Sequence, residues 1–280
     1  LGGVLLATLG WPAVFAVNLP MGLLALALAW RHLPPDRGVS GTAGFDLPGT
    51  AWLALTLAAY ALATTRHLAW LVAAAAGLWL FLRTEARAAS PLVRLERLRD
   101  PSLSAALATN ALVSTVMMAT LVVGPFHLSG TLGLGAAGVG VLMSVGPIVS
   151  AFSGVPAGRL VDRFGTRRTT LAGLAAMAAG CSLIGLLPAS LGAWAYVGPL
   201  VIVTPGYALF QAANNTAVMA DVAAEQRGVV SGLLTLSRNL GLITGASVMA
   251  ALYAAGGLRV SFAIAAALLA AAWSLARRAG

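Results

Sequence analysis

Arg238 stands about ten residues into an apolar stretch that opens at Gly228, roughly 15 Å at 1.5 Å per residue. A guanidinium at that depth is a permanent cation with five N–H donors, suited to hold a carbonyl, a carboxylate or an anionic group of a ligand. Ser231, Thr235, Arg238, Gly241 and Gly245 recur at intervals of four, three, three and four, so on a helix they make one small and polar stripe. An arginine facing lipid at the bilayer centre costs at least ~2.5 kcal/mol, so the stripe is expected to face the interior of a helix bundle. The bland alternative is an arginine that bonds the carbonyls of a neighbouring helix.

Several side-chain amides also fall inside apolar sequence. Asn110 shares a helical face with Ser114 and Met117, and Gln211, Asn214 and Asn215 fall late in an apolar stretch at 193–218. All are candidates for lining a cavity or touching substrate, and the last three could instead only mark the cytoplasmic end of their span. All eight acids, Asp36, Asp46, Glu85, Glu96, Asp100, Asp162, Asp221 and Glu225, fall in connections or at span ends. His32, His67 and His127 each stand alone near a span end, and Cys181 has no partner cysteine. No Ser/His/Asp set, metal-ligand spacing or phosphate loop is present, so neither catalysis nor a metal or cofactor is expected.

The densest charge lies in "GRLVDRFGTRR", residues 158–168. Gly146, Ser150, Gly154 and Gly158 lead into it at intervals of four, a ladder that would let a neighbouring backbone approach closely. Asp162 is placed to meet the positive N-terminal end of a helix or an arginine, Gly165 to permit a tight turn, and Arg167 and Arg168 to open the next span.

These residues need a scaffold, and composition names it. Hydrophobic residues make up 59% of the 280, more than a soluble core requires, and charged residues only 9%. Apolar runs predict the end of one span at 1–9 and full spans at 13–31, 47–65, 68–83, 102–127, 136–157, 169–187, 193–218, 229–253 and 258–277. The runs are too long and too continuously apolar for barrel strands. The expected fold class is an all-α polytopic membrane protein with about nine full transmembrane helices plus the end of one more. Lysine is absent, and fourteen of the seventeen arginines fall in connections of one parity, against two, Arg66 and Arg259, in the other. That bias puts 158–168 and the C-terminus in the cytoplasm. It also accounts for the net charge of +9 without a nucleic-acid partner. The connection at 83–102 could lay Leu92, Leu95 and Leu98 on the membrane surface as a short amphipathic helix or run as a solvated linker. The first residues, "LGGVLLATLG", carry no Met and no charged n-region, and read as the interior of a longer protein.

The ordered pattern of 158–168 resembles the loop motif of the major facilitator superfamily, Gly-x-Leu-Ala-Asp-Arg-x-Gly-Arg-Lys. Gly158, Leu160, Asp162, Arg163 and Gly165 fall on matching positions, with Val161 for Ala, Thr166 for Arg and Arg167 for Lys, and Arg168 follows as a second basic residue. The opening "LGG" with "GWPAVFAVNLPMG" is similar to the end of the fifth helix and entry to the sixth in 14-span drug:proton antiporters. Gly10, Trp11 and Pro12 stand where that family usually has Trp-Arg-Trp. "SPLVRLERLRD" and "GVVSGLLTLSRNLGLITGAS" are similar to its linker and thirteenth helix.

The resemblance implies a partial major facilitator fold without the first four helices. Residues 1–31 would end the N-terminal six-helix half, 47–83 would be two extra linker helices, 84–101 a cytoplasmic linker, and 102–277 the C-terminal half. It implies a multi-pass carrier of the cell membrane, monomeric when complete, that exports small amphipathic substrates by alternating access. Protons would be the coupling ion. Since no intramembrane carboxylate is present, the coupling acid is expected outside this sequence. The breaks Gly198-Pro199 and Pro205-Gly206 could unwind their span for substrate or rocking, or be a packing kink. Two alternatives stay open: a carrier for siderophores, lipids or amino acids on the same scaffold, and a polytopic membrane enzyme, which would group carboxylates or histidines at one membrane face.

Overall fold

The computed structural model describes residues 10–32, 46–88, 99–220, 222–223 and 226–278. Within them every long element is helical: α1 Trp11–Ala16, α2 Asn18–His32, α3 Leu47–Thr65, α4 Trp70–Glu85, α5 Pro101–Met118, α6 Ala136–Met143, α7 Val145–Phe164, α8 Thr166–Leu186, α9 Trp194–Met219 and α10 Arg227–Arg278. α6 and α7 run on as one rod past Ser144, and α10 bends at Gly257, whose φ of 67° no helix interior holds, into limbs 227–256 and 258–278. The chain is an all-α polytopic membrane protein: among the described residues six helical stretches are long and apolar enough to cross a membrane, one of them α10, whose 52 residues divide into two limbs. α2 and α4, of 15 and 16 residues, fall on two further expected spans but are shorter than these six.

Local chemistry starts these helices where it should. Asp46 accepts from the Gly49 N–H at 2.8 Å, and Asp100 from the Ser102 N–H at 2.9 Å, each with a proline in the first two helical positions. Gly165, at φ 80°, makes the one-residue turn between α7 and α8, as its place in the loop motif requires. Glu85, the last residue of α4, is only 3% exposed and crowds the same Gly49 backbone as Asp46, so this span-end acid is buried.

The core lies where α5, α8, α9 and the second limb of α10 meet, around Leu174, Met177, Tyr196, Phe210, Phe262 and Leu269. α8 and α9 touch through Gly173 and Gly206, where a methyl on either would strike the other's backbone. α9 continues through Pro199 and Pro205, so of the two alternatives for those breaks, unwinding or a packing kink, the unwinding does not occur. The break lies in the α5 pass instead, which extends to Thr131 through two π-helical turns, Ala119–Val123 and His127–Thr131. A π-turn aims the Thr120 carbonyl at position 125, and Pro125 has no N–H to give. Tyr196 of α9 donates its hydroxyl to that carbonyl at 2.6 Å, through space that only a glycine at 124 leaves open.

The hairpin α3–α4 docks on the first limb of α10. The Ser247 hydroxyl donates to the Thr64 carbonyl at 2.9 Å, Tyr60 donates to Thr244, and Phe81 packs with Leu233. α2 buries none of its residues. The amphipathic segment holding Leu92, Leu95 and Leu98, and the "LGG" opening, lie outside the described residues.

Candidate functional site

The first limb of α10 lies along α5 more closely than side chains normally allow. A methyl added at Gly241 or Gly245 would overlap the carbonyl oxygen of Ala111 or Thr115. Hydroxyls and an amide stitch the seam. Ser237 donates to the Leu107 carbonyl at 2.5 Å, Thr115 to the Gly241 carbonyl at 3.1 Å, and Asn110 Nδ2 to the Leu234 carbonyl at 3.0 Å. Ser114, fully buried against Gly241, belongs to this seam and is not among the residues lining the Arg238 cleft, which Asn110 does line.

The predicted stripe on α10 therefore divides. Gly241 and Gly245 are buried in the seam, whereas Ser231, Thr235 and Arg238 are exposed on the wall of a cleft of about 290 Å³. α5 contributes Asn110 to that cleft, and α9 contributes Gln211, Asn215 and Met219, with Leu234 completing the α10 wall. Five predicted residues, Asn110, Gln211, Asn215, Thr235 and Arg238, thus meet in one place although they lie up to 128 positions apart in sequence. Met219 and Leu234 escaped sequence reasoning because one apolar residue among many carries no signal of facing a cavity.

The polar groups in the cleft are unevenly satisfied. Thr235 returns its hydroxyl to the Ser231 carbonyl at 3.0 Å. Gln211 donates Nε2 to the Tyr207 hydroxyl at 3.1 Å, which leaves its Oε1 buried and unpaired, and Asn110 Oδ1 is likewise unpaired. Among the described residues the Arg238 guanidinium bonds no carbonyl and pairs with no acid, so the carbonyl-bonding alternative is not realised there. The wall thus presents one unneutralised cation and two unpaired amide oxygens. A ligand fits if it carries an acceptor or negative group for Arg238 and N–H or O–H donors for the two amides. Among the described residues, no carboxylate, histidine or cysteine lines the cleft.

Asn214 departs from this group. It is 4% exposed and lines a different cavity, near Arg167. The loop motif also departs from expectation in part. Asp162 is exposed and meets neither a helix N-terminus nor an arginine among the described residues, while Arg167 Nη2 donates to the Arg277 carbonyl at the end of α10, at 3.2 Å. Arg163 lies over the Phe164 ring, 5.2 Å from its centroid, and Leu160 and Arg168 are exposed. The ladder leading into the loop has no neighbour among the described residues: methyl groups on Gly146, Gly154 and Gly158 would meet none of their atoms within 4 Å.

Residues 1–246 match the family described as Major Facilitator Superfamily. An uncharacterized transporter of Escherichia coli, YebQ, is 30% identical over 259 residues, covering 89% of this chain and 57% of that protein. The drug efflux pump JefA of Mycobacterium tuberculosis is 31% identical over 273 residues, 91% of this chain and 52% of that protein. The riboflavin transporter RibZ of Clostridioides difficile is 26% identical over 259 residues, 91% and 57%. The chain spans about half the length of the curated relatives it matches.

Proposed function

The chain belongs to the major facilitator superfamily of membrane transporters, and from that membership we propose that it carries one wall of the substrate pathway of a secondary exporter of drugs or other amphipathic small molecules. Residues 102–277 would be the C-terminal six-helix half, 47–83 the two extra helices, 84–101 the linker and 1–31 the end of the first half. The observation that carries the reading is the cleft where an unneutralised Arg238 meets the unpaired oxygens of Asn110 and Gln211. Buried polar atoms without partners cost stability, about 1–3 kcal/mol each, and a binding site is where a fold keeps them.

Transport would proceed by alternating access, coupled to protons. No acid among the described residues lines the cleft, so the coupling carboxylate would act from outside them. The arginine bias places 158–168 and the C-terminus in the cytoplasm, with that loop holding one access state and taking no part in chemistry. The names of relatives, a drug efflux pump and a riboflavin transporter, favour a planar or amphipathic organic cargo without choosing between them.

The test is Arg238→Ala in the full-length protein, read as efflux from preloaded cells. Efflux should fall at least tenfold, with expression and membrane insertion near wild type. Full efflux, or joint loss of expression and thermal stability, would show Arg238 to be structural.

A further inference from the structure

A second cavity, about 170 Å³, opens at the arginine-rich end of the bundle, between α5, α8, α9 and the closing limb of α10. Thr109 and Asn214 line it, while Asn110 and Asn215, their neighbours in sequence, line the Arg238 cleft. Successive helical residues are turned by about 100°, so α5 and α9 separate the two spaces.

The second cavity is furnished with donors. Thr109 is 1% exposed and its hydroxyl has no partner, whereas the buried Thr56, Thr115 and Thr169 return theirs to the carbonyl four residues earlier. Asn214 is 4% exposed, and its Nδ2 is also without an acceptor. Arg167 reaches the same space. Its one bond to the Arg277 carbonyl leaves most of its N–H groups available. Thr166 and Thr170 add hydroxyls, and Thr166 begins α8, a helix of 21 residues whose first N–H groups are open to an anion. The other described lining residues are Ser102 and alanines, and none of them is an acid. Asp100 lines the adjoining cavity, where the Ser102 N–H already engages it.

Two buried, unpaired side chains, an arginine and a helix N-terminus facing one space call for a compact anion with several acceptor oxygens. We propose that this cavity binds a phosphate group, borne by an anionic phospholipid or as the free ion. The alanine wall and the neighbouring Arg168, Arg277 and Arg278 suit a headgroup entering from the membrane surface.

Full-length protein purified in a neutral detergent is melted against increasing dioctanoyl phosphatidylglycerol, inorganic phosphate and, as a phosphate-free control, dioctanoylglycerol. A saturable rise in the melting midpoint is expected. Arg167→Gln and Thr109→Val should each weaken the apparent affinity roughly tenfold. Without ligand, Thr109→Val should melt at or above the wild-type midpoint, because it removes an unpaired buried hydroxyl. A response to phosphatidylglycerol alone assigns a lipid site, and an equal response to inorganic phosphate assigns a free-ion site. No saturable response to either, an equal response to dioctanoylglycerol, or wild-type affinity in both variants overturns the proposal. The readout is binding, so it stands or falls separately from the transport reading of Arg238.

Discussion

On α7, Gly146, Ser150, Gly154 and Gly158 stand four apart, and a methyl group on any of the three glycines would meet empty space. On α10, Gly241 and Gly245, also four apart, press so hard on α5 that a methyl on either would overlap a backbone oxygen. The spacing is the same and the use opposite. Small residues at helical intervals permit close approach, but a partner must offer a matching surface for it to happen. α5 offers one: Thr115 and Asn110 donate to α10 carbonyls, and Ser237 of α10 donates back to Leu107. Around the α7 ladder no described helix does so, and Ile148, Phe152 and Val155 beside it are exposed.

The comparison can be broken at three points, each read as a shift in thermal unfolding of the purified protein. Gly241→Ala and Gly245→Ala should cost most, roughly 1–3 kcal/mol each, since the seam must open to admit a methyl; an unchanged melt would mean that α5 and α10 are not in close contact. Ser237→Ala should cost less, about 0.6 kcal/mol and at most ~1.7, the range of interhelical side-chain hydrogen bonds in membranes. A loss as large as that of Gly241→Ala would shift the credit for the seam from close packing to hydrogen bonding. Gly154→Ala should cost least and could stabilise by about 0.5–1 kcal/mol, because alanine is the better helix former and its methyl has room. A loss there matching Gly241→Ala would reveal a further helix lying on the ladder in the full-length protein, and the two stripes would then be alike.

The passes were legible because each is a local matter. In hydrocarbon every backbone group must be satisfied within its own segment, so length and apolarity mark a spanning helix, and Asp46, Asp100 and Gly165 punctuate it by residue type. The Arg238 stripe was legible for the same reason, since helical periodicity is a property of one segment. What the stripe faces was not. Arg238 opens on a cleft and Gly241 on a seam because α5 lies along the face of α10 that carries Leu234, Ser237, Gly241 and Gly245, and nothing within 229–253 encodes which face α5 takes. Tyr196 bridging to the carbonyl that Pro125 leaves unpaired joins residues 76 apart, and Tyr60 meeting Thr244 joins residues 184 apart. Neither pair has a pattern of its own.

Asn214 and Asn215 mark the limit most clearly. As a pair of adjacent amides near the end of a span they read alike, and the sequence by itself determined only that both are polar groups held in an apolar helix. The tertiary structure decided that one belongs to the Arg238 cleft and the other to the Arg167 cavity. The reason is geometric: a turn of about 100° between neighbours on α9 becomes a difference in chemistry only once α5, α8 and α10 pack on different sides of it.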